Sequence, residues 1–273
     1  MLALRGFYRD GVPGVPHLLI EGVVIAVIGV AAAGWLFPQE ASLVSVFLAA
    51  ISAEDSIERL LDANRRAIVD RGEAPTRANA RLTAQLGALF LGTFLGFAVL
   101  ALSLPLERVE LLFSHQVPIP HDADFRQLRF GGAGPLFVAN LYVLFFFLLI
   151  ALPFRHGGVM LAIAWNASVW GATFAVLARR WATDGGPGTI ESFLRVMSAC
   201  APHMAMEGCA YTLAGLAGVF LSRGVQRHAL DSPVLQSVVR SVGAMVGTAI
   251  VLVTIGAMWE GWVAPSLVRW VSG

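Results

Sequence analysis

Six or so apolar runs, each long enough to cross a lipid bilayer, follow one another along this chain of 273 residues, separated by short connections that carry arginine. Crossing a hydrocarbon core of about 30 Å takes roughly 20 apolar residues in a helix. With no water in that layer, backbone groups must bond within their own segment. The chain is 57% hydrophobic and only 14% charged, against about 25% charged in ordinary globular domains. Six spans in 273 residues leave no room for a large soluble domain. The fold expected is therefore all-α: a polytopic transmembrane helix bundle of about six spans, one integral membrane domain over residues 1–273, in a cell (inner or cytoplasmic) membrane. A net charge of +1 gives no sign of a nucleic-acid partner. All nineteen basic residues are arginine, which reflects genomic composition rather than chemistry. Cys200 and Cys209, nine residues apart on one helix, are too distant to bridge, so no disulfide framework is expected.

The first span is expected over about His17–Phe37, entered after Pro13 and Pro16 and closed by Trp35 and Pro38. No small-residue cleavage site follows it, so it reads as a retained span. Segment 41–78 changes character along its length. Ala41–Ile51 is apolar but falls short of a crossing, and Ala53–Asp70 places Ile57, Leu60, Leu61 and Ile68 on one face. One helix that dips into the interface and then lies along the membrane surface fits this pattern; a helix docked on its neighbours fits it equally well. The second span, about Leu82–Leu104, carries Gly87, Gly92 and Gly96 at a spacing for close helix contact. Residues 105–135 form the longest extramembrane connection. Its His115, His121, Asp122 and Asp124 read as solvated loop residues rather than a metal site. Spans three (about Leu136–Phe154) and four (about Gly157–Leu177) are joined by the turn Pro153–Gly158 and so run antiparallel. Span five follows Pro202 to Leu221, with Ala210, Ala214 and Gly218 as a small-residue seam, and span six covers about Val238–Met258. Trp165, Trp170, Trp181, Trp259, Trp262 and Trp270 lie mostly near span ends, as an aromatic belt requires. Arginines divide almost evenly between the two sides, so charge does not set the orientation.

Cys200-Ala201-Pro202-His203-Met204-Ala205-Met206-Glu207-Gly208 puts a proline, a histidine and a glutamate into an apolar span. A carboxylate near the bilayer centre costs about 2.5–3.5 kcal/mol on insertion scales. Such a group is kept where it faces protein, water, an ion or a substrate. His203 and Glu207 share one helix face a turn apart. Pro202 removes a donor and clashes with the preceding turn, so a broken helix is expected there, a device that transporters use to build ion sites. Asn140 and Asn166, in the paired third and fourth spans, are candidates to bridge helices around this pair. Glu260, in Trp259-Glu260-Gly261-Trp262, is a further acid at a span end.

Three elements of the second half, from Asn140 to the end, resemble the stage II sporulation protein M-like membrane proteins. They are Asn140 with Gly157-Gly158, Asn166-Ala167 and Gly171; Ala201-Pro202-His203 with Glu207, continuing into Leu213-Ala214-Gly215-Leu216-Ala217-Gly218; and Ala257–Pro265. Family members often show Asn-Asn where this chain has Asn140-Leu141, Asn-Gly where it has Asn166-Ala167, and a glycine where it has Met204. The resemblance implies a family-like core over 136–265, structural roles for Pro202, Gly208, Gly215 and Gly218, and a membrane-embedded component of cell-envelope remodelling or transport machinery with envelope-complex partners.

For His203, Glu207 and Glu260 three readings compete. They form structural glue with Asn140 and Asn166; they bind a cation or relay protons in a transporter of a small or lipid-like solute; or Cys200, His203 and Glu207, with Glu260 or His156, hold zinc in an intramembrane hydrolase. Against the last stand Pro202, which disturbs the register, and the absence of a His-Glu-x-x-His motif. No catalytic triad or phosphate-binding glycine loop is legible, no cofactor is implied, and a non-enzymatic role is expected. The glycine- and alanine-rich faces of spans two and five suit a homodimer.

Overall fold

The computed structural model describes residues 8–9, 11–117 and 132–272. Helix dominates it, as the apolar runs require, and six helices are long and apolar enough to cross a membrane. Their contacts group the chain into two compact units. One holds the described residues up to Val117 together with Ile163–Ala172; the other holds those from Gly132 to Ala162 and from Thr173 onward.

The first unit opens with a two-rung hairpin, β1 (Tyr8–Arg9) and β2 (Val12–Pro13). The helices that follow are α1 (Val15–Leu36), α2 (Ala41–Ser52), α3 (Glu54–Val69), α4 (Pro75–Ser103) and α5 (Leu106–Leu112). Glycines set the closest helix approach. A Cβ on Gly22 of α1 would lie 2.5 Å from the Leu89 carbonyl oxygen of α4, and one on Gly92 would run into the Leu19 carbonyl. Gly96 meets Ala26 and Val23 in the same way, whereas Gly87 has nothing near it.

Those contacts fix direction. Gln85 donates to the Pro13 carbonyl at 2.8 Å; further on, Gly92 meets Leu19 and Gly96 meets Val23. Both chains advance together, so α1 and α4 run parallel and something must carry the chain back between them. That return is α2 and α3. Gly29 faces Ser45 and Ala49 of α2, and Ser56, near the start of α3, hydrogen-bonds Glu21 in the second turn of α1. The 12 residues of α2 cover about 18 Å. The segment expected as one helix dipping into the interface is therefore two helices that break at Ala53, the first returning along most of α1. The apolar face of α3 is docked on its own chain, with Ile57, Leu60 and Leu61 buried. At the other end of α1, Gly34 meets Leu112 of α5, and Ser42, starting α2, bonds the buried Gln116.

The second unit contains α6 (Ala133–Phe154), both ends of α7 (His156–Thr183), α8 (Thr189–Arg227) and α9 (Pro233–Met258). A π-helical turn, Trp259–Val263, and α10 (Ala264–Ser272) close the chain. The connection between α6 and α7 is a single residue, Arg155, at φ 50°, and it is tied to Gln226 of α8. Arg223 of α8 likewise meets His156 Nε2 at 2.6 Å. Gly158 lies against the Ala151 backbone and Gly218 of α8 against Leu148 and Ala151. Together with Phe147 beside Tyr211, these pairs make α6 and α8 parallel and α7 antiparallel to both.

Helix α8 is continuous through Pro202. The expected break does not occur, because one missing donor and one strained turn are tolerable in a helix of 39 residues held along its length by neighbours. The small-residue seam Ala210, Ala214 and Gly218 is buried against the same chain, and Gly92 and Gly96 of α4 face α1, while Gly87 is exposed. Outward faces stay apolar: Ile20, Val24 and Ile28 on α1, and Phe145, Phe146 and Leu149 on α6, are exposed. Trp35, Trp262 and Trp270 are exposed near helix ends, while Trp170 and Trp181 are packed inside.

Two outcomes follow. Gly92→Ala should lower thermal stability by about 1–3 kcal/mol, as overpacking does, while Gly243→Ala, with nothing near its Cβ, should leave the melting temperature almost unchanged; a thermal-shift assay in detergent checks both. With Cys200 and Cys209 replaced by serine, a cysteine at Arg65 of α3 and one at Glu107 of α5 should react with an impermeant maleimide from opposite sides of the membrane. Labelling from one side would contradict the return through α2.

Candidate functional site

Because α8 is unbroken, His203 and Glu207 stand one above the other with a rise of about 6 Å, on the face turned inward. They are 5% and 6% exposed, among the few polar side chains buried in a span. Asn140 of α6 gives its amide N–H to Glu207 Oε1. It lies seven residues into a 22-residue helix, about 10 Å along it, which places the carboxyl roughly a third of the way across rather than at the centre. Gly256 of α9 closes the other side; a Cβ there would sit 3.4 Å from Glu207 Cγ, so this position leaves the carboxyl its room.

One turn beyond Glu207, Tyr211 is 3% exposed, its ring 5.8 Å from that of Phe147. One turn before His203, Cys200 is buried and unbridged. Glu260, half-buried on the π turn, is close enough for its charge to act on Glu207, Cys200 and Tyr211. Gly261 next to it lies against the start of α6, where a Cβ would be 2.8 Å from the Ala133 amide nitrogen. Two buried polar atoms here have no hydrogen bond, His203 Nδ1 and the Trp259 indole Nε1. Such orphans are uncommon in native proteins, and each calls for an explanation.

The residues expected at the centre divide. Asn140, His203, Glu207 and Glu260 belong to one unit, and the first and third are bonded. Asn166 is buried but belongs to the first unit. Cys200 and Glu207 are separated by about 10.5 Å of helix rise, against metal–ligand bonds of about 2.0–2.3 Å. Among the described residues no three His, Cys, Asp or Glu side chains form a group able to hold a metal. His121, Asp122 and Asp124 lie outside the described residues, and His115 hydrogen-bonds Ser42 through its backbone. Sequence reasoning missed Tyr211, which the i+4 spacing from Glu207 could have offered. It also missed Gly256 and the π turn, for which the chain carries no local signal.

No family model, no curated protein and no solved structure matches the chain.

Asn140→Ala should lower stability by about 0.6 kcal/mol, the usual worth of a polar contact between spans. The same replacement in a Glu207→Gln background should cost less, and calorimetry of the four proteins measures the difference as a coupling energy. Strict additivity would mean that Asn140 does not support the carboxyl.

Proposed function

We propose that this multipass membrane protein is a component of cell-envelope or transport machinery in the cytoplasmic membrane. On this reading, the site around Glu207 takes up and releases a proton or small monovalent cation. The observation that carries it is an acid buried in a span, Glu207, on which the charge of the half-buried Glu260 acts, beside a histidine nitrogen without a partner. A buried carboxyl that feels a second acid in a low-dielectric span holds a proton or cation, since charge repulsion there is little screened. A histidine one turn away can hand protons on, because its charge changes near neutrality.

The resemblance of 136–265 to stage II sporulation protein M-like proteins, carried by Pro202-His203 with Glu207 and by Trp259-Glu260, agrees with a non-enzymatic envelope role and supplies the machinery part of this reading. A purely structural lock is the competing reading, and the unbonded His203 Nδ1 argues against it, since a lock stabilises only when every member is satisfied.

Infrared difference spectra of the reconstituted protein between acid and neutral pH provide the test. The wild type should show a carboxyl band that Glu207→Gln removes and Glu260→Gln shifts, with both variants folded. Spectra indifferent to both substitutions would overturn the reading.

A further inference from the structure

The motif on α8 occurs twice in the chain. Pro202-His203-Met204-Ala205-Met206-Glu207-Gly208 has its counterpart in Pro16-His17-Leu18-Leu19-Ile20-Glu21-Gly22, and each is followed seven residues later by another glycine, Gly215 and Gly29. Of six histidines in the chain, two therefore stand in the same setting: proline before, glutamate four residues on, glycine next. The match extends to packing. Leu18 and Met204, Ile25 and Tyr211, Gly29 and Gly215, and Val30 and Leu216 occupy equivalent positions, and all are buried.

It extends to the chemistry as well. Glu207 Oε1 accepts from Asn140 of a neighbouring helix; Glu21 Oε1 accepts from the Ser56 hydroxyl of α3 at 2.6 Å. His17 Nε2 lies 3.4 Å from Glu21 Oε2, and that oxygen is buried without a hydrogen bond. Among the described residues of α2, α3 and α4, no other charge is buried beside it. Neither α2 nor α4 between Arg81 and Ser103 carries a charged residue; at the start of α3, Glu54, Asp55, Glu58 and Arg59 are exposed. On α4 the polar group at this end, Gln85, is committed to the Pro13 carbonyl.

We propose that Glu21, with His17 and Ser56, is a second binding site for a small monovalent cation, built in the first unit on the same local pattern as the site around Glu207 in the second. Its donors are carboxylate and hydroxyl oxygens, which suit a proton or an alkali ion. The chemistry is that proposed for Glu207, but the residues are different, so either site can fail alone.

A lipid-soluble carbodiimide on the reconstituted wild-type protein tests this, with tandem mass spectrometry assigning the modified residues. Glu21 should carry adduct while the exposed Glu54, Asp55 and Glu58 do not. Loss of the Glu21 adduct when sodium is added at constant pH identifies an alkali ion; loss only on raising the pH identifies a proton. Ser56→Ala should weaken the protection in either case. An unmodified Glu21, or an adduct that neither sodium nor pH diminishes, would overturn the inference. Adduct at Glu21 without adduct at Glu207 would uphold this site and count against the reading of the other.

Discussion

A polar side chain inside a membrane span must be answered by protein, because no water is there to answer it. Several hydroxyls in the spans meet that demand locally. Thr93, Thr212 and Thr254 each turn back to the carbonyl four residues earlier in their own helix, and Ser168 to the one three residues earlier. Carboxylates have no such option, being acceptors without a donor of their own. Glu207 and Glu21 are met instead across a helix boundary, by Asn140 and by Ser56. The helices that bring these donors up, α6 beside α8 and α3 at the foot of α1, are therefore held to a definite register.

That register is possible because the helices approach closely. Gly22 against Gly92, and Gly218 against Ala151, bring backbone to backbone where a side chain would not fit. In lipid, where apolar burial gives little drive for helices to associate, such close contacts do much of the holding. Here α1 fills the seam at Gly92 and Gly96, and α6 the seam at Gly218. The acids consequently sit in a framework with little freedom to rearrange, while His203 Nδ1, Trp259 Nε1 and Glu21 Oε2 remain without hydrogen bonds inside it.

Particular residues show how far local pattern reaches. Gly87, Gly92 and Gly96 look alike in sequence, yet only the last two meet α1, because which face a helix presents depends on its partner. Asn140 and Asn166 seemed equivalent bridging amides; Asn140 bonds Glu207, while Asn166 is buried and belongs to the other unit. Pro202 has the chemistry of a helix breaker, yet the helix runs on through it. Segment 41–51, too short to cross by count, runs back along α1 because the parallel packing of α1 and α4 leaves the chain no other route.

Composition and the length of the apolar runs determined that this is a helical membrane protein, and the spacing of His203 and Glu207 determined that they share a face; both are properties of a helix taken alone. The recurrence of proline, histidine, glutamate and glycine in α1 was equally present in the sequence. Which donor reaches which acid, that α1 and α4 run parallel, and that Glu260 joins Glu207 from the π turn were decided only by tertiary packing. Each depends on residues far apart in the chain being brought to the same depth, and no periodicity within one helix records the depth of its neighbour.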